Sequence, residues 1–397
     1  MKRSALLFGA LVLGAVAGVN AQGLTMQMSN GWMFSFAGNV NIFAMYQKVS
    51  DNGEYNSGAG GLTNPAPAAI VGIGGKGLYY GTGLLPSVAS FDAKGKEGST
   101  DLDVHFGFFP QVQCGGNAHD CFGSQFSGAS IDMRQVFLSA GGSWGTITAG
   151  REIGVFQRQN ILTDQTLFGV GGGGIAPRGT TLGRIGFGYV YPNFVPQFTY
   201  TSPAGRSTTF NIGLMEPSTL GAYTELSTPR IEADVTFKAS SVTFNISATA
   251  QNAKDPTSGG FGSKTAVGGA AVVTYKASQF GLTGSGYYGK GIGTTLMFTV
   301  APHDGNGDLT TSYGYIGQAT YTSGKATVAG SYGASVLKDK GNTFKTENAM
   351  ISGGIYYQAT KSLKVVGEGD YQWSKNKEIS AKKNSSFTGS FGLMLFY

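Results

Sequence analysis

Residues 386–397 read SFTGSFGLMLFY and alternate between two kinds of side chain along their whole length. One face carries Phe387, Gly389, Phe391, Leu393, Leu395 and Tyr397, and Ser386, Thr388, Ser390 and Gly392 begin the other. A period of two is typical of a β-strand with one apolar face. An unprotected apolar edge invites aggregation in water, and lipid cannot satisfy the free backbone groups of such an edge. We therefore expect Phe391, Leu393, Leu395 and Tyr397 to lie on a strand that closes a membrane β-barrel.

The first residues are typical of an export signal. Lys2 and Arg3 precede an apolar run from Ala5 to Val19, and Ala21 ends a small-residue stretch that offers a cleavage site. A short membrane anchor is the alternative, but the run contains several Gly and Ala and is too short to span a bilayer comfortably. We expect residues 1–21 to be a signal peptide and residues 22–397 to form the mature protein.

The composition agrees with a barrel. Glycine accounts for 65 of 397 residues, more than twice the share of about 7% in ordinary soluble proteins. Charged residues account for 13%, against about 25% in such proteins. Many glycines stand beside aromatic residues inside alternating runs, where small side chains let curved strands pack closely. No stretch after the signal approaches the length of a membrane-spanning helix, so a membrane protein of this sequence must cross with strands.

The connectors between alternating segments are long and short in turn. The long ones run from 48 to 82, 114 to 130, 152 to about 190, 215 to 228, 252 to 263, 292 to 310, 338 to 346 and 374 to 385. This asymmetry is typical of outer-membrane barrels. Eight long loops, with both termini on the short-turn side, require sixteen strands in a single domain.

The segment 183–214 offers one strand too many for that count. Either 184–191 belongs to the third long loop, or 196–202 and 207–214 form one strand that is interrupted at Pro203. Both interpretations give sixteen strands, and the alternation does not choose between them.

Cys114 and Cys121 flank a six-residue segment that contains His119. In an exported protein this spacing favours a disulfide that closes a small loop, worth roughly 2–3 kcal/mol by a chain-entropy estimate. A metal site is the alternative. It is disfavoured because zinc normally takes four ligands and only three are in sight.

The stretch 133–151, MRQVFLSAGGSWGTITAGR, resembles the best-preserved segment of the Gram-negative general porins. It has an Arg that opens one strand, a small-residue turn, an aromatic-Gly-Thr and a Gly-Arg that ends the next strand. The resemblance covers the whole chain and implies a trimer of barrels, each with a long third loop, here from Glu152, folded into the lumen. Tyr397 stands where these barrels usually end in Phe, and it keeps an aromatic ring.

The resemblance further implies that charges on and beside the third loop line the pore constriction. These residues are Arg134, Arg151, Glu152, Arg158, Asp164, Arg178 and Arg184. Arg134 and Arg184 would join a basic group on the wall that faces acidic residues of the loop. The alternative is an ion-pair network that only holds the loop in place. Because arginines outnumber acids in this set, we expect a weak preference for anions.

Catalytic chemistry has little support in the sequence. Asp101, Asp103 and His105 share one strand face that can suit a metal or a general base, but the polar lumen face of a porin explains them as well. We expect no enzyme activity, no metal and no cofactor. The formal net charge of +6 is dispersed along the chain, which argues against a nucleic-acid partner.

The sequence therefore predicts an all-β protein, a transmembrane antiparallel β-barrel of sixteen strands in the outer membrane of a Gram-negative cell. It would contact lipid, assemble as a homotrimer and form a water-filled channel for passive diffusion of ions and small hydrophilic solutes. A substrate-specific porin and a non-conducting structural or adhesive barrel are the alternatives.

Overall fold

A computed structural model describes residues 23–50, 75–112, 131–172, 180–298, 301–341, 345–376 and 383–397. These residues form eighteen strand segments: β1 (Leu24–Gln27), β2 (Met33–Ser50), β3 (Gly75–Gly81), β4 (Val88–Glu97), β5 (Thr100–Pro110), β6 (Ile131–Gly142), β7 (Gly145–Ile153), β8 (Phe194–Thr201), β9 (Thr208–Met215), β10 (Arg230–Ala239), β11 (Val242–Lys254), β12 (Ser263–Ala277), β13 (Phe280–Lys290), β14 (Thr311–Ser323), β15 (Ala326–Lys338), β16 (Lys345–Gln358), β17 (Leu363–Asn376) and β18 (Asn384–Phe396). A short helix, α1 (Arg158–Leu162), and a 3-10 turn (Gln165–Phe168) lie between β7 and β8.

The strand segments form one closed antiparallel barrel with sixteen strand positions. β3 and β4 pair with successive halves of one edge of β2 and so share a position. β1 and β18 pair with successive parts of the other edge of β2 and share another. The last strand therefore closes on the first long strand, with pairs from Ser385↔Ser50 to Phe396↔Asn39. The prediction of a sixteen-stranded barrel is confirmed.

Side chains alternate between the two faces of the wall, as the period of two requires. On β18, Phe387, Phe391 and Leu395 are exposed on the outer face, whereas Thr388 and Met394 are buried inside. The described helices include none with the length and hydrophobicity that spanning a membrane requires.

Short turns join the strands at one end of the barrel. Gly98 between β4 and β5 and Gly324 between β14 and β15 have φ angles of +59° and +56°. Tight hairpin turns that match the twist of the flanking strands need this left-handed conformation, which glycine adopts without a Cβ penalty.

The structure decides the ambiguity at 183–214 and corrects one loop boundary. Residues 184–191 belong to the third loop, and β8 and β9 are separate strands that pair with each other. Residues 75–81, expected inside the first long loop, form β3. The strand position is broken after Gly81, where residues 82–87 turn into the lumen before β4 begins.

The apolar core lies inside the barrel, between the third loop and the wall. Its largest cluster joins Phe43 and Phe396 of the wall to Ile161 and Leu167 of the third loop and to Leu84 of the β3–β4 connection. The loop therefore narrows the lumen and is packed there by apolar contacts. The predicted signal peptide, Cys114, Cys121 and Arg178 lie outside the described residues.

Candidate functional site

The described parts of the third loop, residues 154–172 and 180–193, are folded around Asp164. One carboxylate oxygen accepts the Thr166 amide at 2.9 Å and caps the 3-10 turn. The other accepts the Tyr189 hydroxyl at 2.8 Å and the Arg184 amide at 3.3 Å. One buried side chain therefore ties the outgoing arm of the loop to its returning arm. Burial and the neighbouring Asp164 carboxylate raise the pKa of Tyr189 well above its usual value, so its hydroxyl remains a donor.

Wall carboxylates hold the loop across the barrel. Glu368 of β17 accepts the backbone amides of Val170 at 2.8 Å and Gly171 at 2.6 Å. Glu232 of β10 accepts the amide of Phe156 at 2.8 Å. Buried backbone donors are costly to leave unpaired, and the carboxyl oxygens of these two side chains accept them. These two acids therefore fix the path of the loop at its start and near its middle.

Two arginines of the loop point towards the wall and are buried. Arg158 contacts Asp234 of β10 at 3.5 Å between Nη2 and Oδ2. The Arg184 guanidinium donates to the carbonyl oxygens of Ser331 at 2.8 Å and Met350 at 3.3 Å. Burial lowers the pKa of Arg184, and the nearby Asp164 carboxylate opposes that shift.

The placement of charge differs from the arrangement that the porin resemblance implies. The resemblance puts Arg184 on the wall, facing acids on the loop. In the structure Arg184 belongs to the loop, and the acids that approach the loop, Glu232, Asp234 and Glu368, belong to the wall. The reason lies in the path of residues 184–191, which the sequence left open between loop and strand.

Arg134 faces the lumen from β6, beside the third loop. Its guanidinium carbon lies 5.5 Å from the ring centre of Phe109 and 5.9 Å from that of Phe194. Its Nε pairs with Asp132 at 2.8 Å, and Tyr191 at the loop's exit lines the same cavity. A break in the β5–β6 register pairs Gly107 with Gln135 and Phe108 with Met133, so Arg134 is left out of the ladder. Such bulges re-aim side chains.

Arg151 and Glu152 occupy opposite faces of β7, as neighbours on a strand must. Glu152 points inwards, and both its carboxylate oxygens lie 3.0 Å from the amide nitrogen of Gln135. Arg151 is exposed and donates to the carbonyl of Phe194 at 2.9 Å. Its placement gives no support to a role at the constriction, whereas Glu152 is part of the polar lumen wall.

The polar strand face around His105 is a network of pairs. His105 Nδ1 lies 2.9 Å from Asp92, and the imidazole stacks on Phe137 at 4.8 Å between ring centres. Lys94 contacts Asp92 at 3.6 Å and Asp103 at 3.4 Å. Within the described ranges, no group of three or more His, Cys, Asp or Glu side chains can hold a metal.

Sequence reasoning missed the inward connection between β3 and β4. The amides of Leu84 and Leu85 donate to the carbonyls of Gly169 and Leu167, at 3.0 and 3.1 Å, so this connection forms a wall for the third loop. The signal was present: residues 81–86 read GTGLLP, where two glycines, adjacent leucines and a proline break the alternation of a strand.

A closed barrel narrowed by an inward loop defines a membrane channel protein, and the comparisons with known proteins give its family. The sequence profile of the Gram-negative porin family matches residues 9–378. The chain belongs to the Gram-negative porin family, and it resides in the outer membrane. No curated protein sequence matches the chain.

Solved outer-membrane channels share the fold at low sequence identity. The channel DcaP of Acinetobacter baumannii has a TM-score of 0.67 and 16% identity, over 94% of this chain and 99% of that chain. An anion-selective porin from Comamonas acidovorans has a TM-score of 0.62 and 14% identity, over 92% and 100%. OmpT of Vibrio cholerae, in a trimer form, has a TM-score of 0.54 and 11% identity, over 92% and 99%.

Proposed function

We propose that this porin passes ions and small hydrophilic solutes by passive diffusion, with a weak preference for anions. The observation that carries the preference is the charge in the cavity between the third loop and the wall. Among the described residues that line the cavity beside the third loop, Arg134 carries the only charge. Its partner Asp132 lies outside this lining with a half-exposed side chain, so water screens their pair. Charges act over about 8 Å at physiological salt, so a charge at a narrow point outweighs those on distant loops.

The other predicted charges contribute less to this field. Arg158 pairs with the buried Asp234, and the side chain of Arg184 is buried between the loop and the wall. Asp164 accepts hydrogen bonds from within the loop, and Glu152 accepts a hydrogen bond from Gln135. These residues fit the alternative that the sequence left open, a network that holds the loop. The anion preference therefore rests on Arg134, and for Arg178 it stays a prediction.

Uptake of neutral sugars into liposomes tests the diffusion function directly. Vesicles that contain the purified, unheated protein should swell in isotonic monosaccharide, faster than in a trisaccharide, since the loop narrows the lumen. Vesicles with boiled protein are the control. Equal rates in the two vesicle types would contradict a diffusion pore and favour a non-conducting barrel.

We also infer that the barrels assemble as homotrimers. An aromatic cluster covers the outer face around β2, β4 and β5: ring centres lie 4.9 Å apart for Phe36 and Phe91, 5.1 Å for Phe36 and Tyr397, and 5.8 Å for Phe91 and Phe108. A patch of this kind suits packing against a second barrel. Cross-linking in native outer membranes should give a ladder that ends at three copies, and a ladder that ends at one would contradict the trimer.

Lack of enzyme activity stays a prediction.

A further inference from the structure

A cavity of about 170 Å³ lies between the third loop and the wall on the side of β3 to β6. The wall contributes Leu84, Leu85 and Phe109, and the loop contributes Ile161 and Leu167. This lining is unusual in a channel for hydrophilic solutes, because the face of a porin strand that points into the lumen is ordinarily polar. Two kinds of element form this apolar lining: the inward β3–β4 connection, and α1 together with the 3-10 turn of the third loop.

One end of the cavity is polar and positively charged. The pair with Asp132 uses the Nε edge of Arg134, and the Asp132 side chain is half exposed, so water screens that pair. A guanidinium offers five donors in a planar fork, so donors remain for an anion. Tyr191 stands beside the guanidinium, and burial raises the pKa of its hydroxyl. A neutral phenol next to a guanidinium is a second donor for the same anion.

The size of the cavity limits what fits. An apolar cavity of about 150 Å³ takes one benzene ring, so about 170 Å³ accommodates a single ring or a short branched chain with a small head group. A second charged group on the ligand would be buried without a partner, which is costly. A wholly polar solute gains nothing from the leucines.

We propose, building on the pore function proposed above, that this cavity binds small organic monocarboxylates with an aromatic or branched apolar body. The carboxylate pairs with Arg134 and Tyr191, and the apolar body packs against Leu84, Ile161 and Leu167. Such a site adds substrate preference to a diffusion pore, since a solute must bind well enough to enter and weakly enough to leave.

The test uses the full-length protein in a planar bilayer, with KCl as the carrier of current and benzoate as the probe. Benzamide, which keeps the ring without the charge, and acetate, which keeps the charge without the ring, are the matched probes. Benzoate should reduce the current in a saturable way, with half-maximal block at a concentration at least tenfold lower than either matched probe requires. If benzoate and acetate reached half-maximal block at the same concentration, the proposal would be overturned. This comparison uses the native protein alone.

Two variants locate the site. Arg134→Gln should raise the benzoate concentration for half-maximal block at least tenfold, with little change for benzamide. Arg206→Gln removes the same charge from the exposed turn between β8 and β9, and it should leave the benzoate block unchanged. If both variants weakened the block equally, the site would lie elsewhere and the proposal would fail. Absence of current steps from the native protein would instead contradict the pore function itself.

Discussion

At the scale of the residue, the lumen face is decided by backbone details that the sequence does not display. Arg134 enters the lumen because β6 bulges opposite Gly107. Without the bulge, it would lie on the face opposite the inward Gln135. The guanidinium then rests beside the rings of Phe109 and Phe194, where cation–π contacts of about 0.5–2 kcal/mol hold it in place.

Reversing the charge of Arg134 should change ion selectivity. In a KCl gradient, Arg134→Glu should shift the zero-current potential towards cations, because the change lies within a Debye length of ions in the narrowed lumen. Lys338→Glu makes the same change in charge at the loop end of β15 and should shift the potential much less. Equal shifts, or no shift for Arg134→Glu, would show that Arg134 does not control the constriction.

The residue scale also shows where sequence reasoning was sufficient and where it was not. Arg151 and Glu152 are neighbours on a strand, and the period of two allows only one of them to face the lumen, although the resemblance implied a pore position for both. The bulge at Arg134 and the burial of Arg184 depend on tertiary packing, which no local pattern reports. The resemblance implied that Arg134 lines the pore wall, but it did not reveal the bulge that turns this side chain inwards.

At the scale of the element, the third loop is held by hydrogen bonds from its own backbone to acids on the wall. Glu368 is the strongest example, since it accepts two consecutive loop amides and the hydroxyl of Tyr356. The GTGLLP connection supports the other side of the loop through Leu84 and Leu85. The position of the loop is therefore a property of three distant segments of the chain.

Removing the Glu368 carboxylate should loosen the loop. Glu368→Ala leaves the amides of Val170 and Gly171 without an acceptor, at about 1–3 kcal/mol for each buried group, so the open-channel current should fluctuate more. Glu368→Gln keeps an acceptor oxygen and should retain most of the quiet current. Glu97→Ala, at an exposed turn, is the control. Identical noise in the Glu368→Ala and Glu97→Ala channels would contradict the anchoring role.

The closing strand makes an equally direct prediction. Deleting residues 391–397 removes the ladder from Phe391↔Ala44 to Phe396↔Asn39 and uncovers that edge of β2. Unpaired strand edges in lipid cost several kcal/mol for each group. The truncated protein should therefore be missing from the outer-membrane fraction, while Tyr397→Phe, which keeps the ring, should assemble at normal levels. Normal levels of the truncated protein would refute the closure argument.

The elements themselves were largely predictable, because alternation and turn residues are local signals. The strand count, the long and short connectors and the closing strand all follow from them. The choice at 184–191 was not local: that segment reads as a strand, yet Arg184 and Tyr189 bond to Asp164 twenty or more residues earlier. Residues 184–191 could pair as a strand or belong to the third loop. Their hydrogen bonds to the buried Asp164 carboxylate favour the loop.

At the scale of the whole molecule, the two faces of the barrel wall meet two environments, lipid outside and water inside. The outer face presents side chains such as Phe391 and Phe198 to lipid, and the inner face presents polar side chains to water and to the loop. Closure pairs the last strand with β2, and the inward loop narrows the lumen. Under the proposed function, we expect selectivity to depend on the few groups that border the remaining space, foremost Arg134.

The current through single channels tests the central claim, that this barrel is an open and weakly anion-preferring pore, most directly. Native, unheated protein added to a planar bilayer in KCl should produce discrete upward steps of current. A tenfold KCl gradient should then give a zero-current potential of the sign expected for chloride. Protein that remains folded, as shown by a shift in gel mobility only after boiling, yet gives no steps would contradict the pore. Steps with a potential of the potassium sign would contradict the role assigned to Arg134.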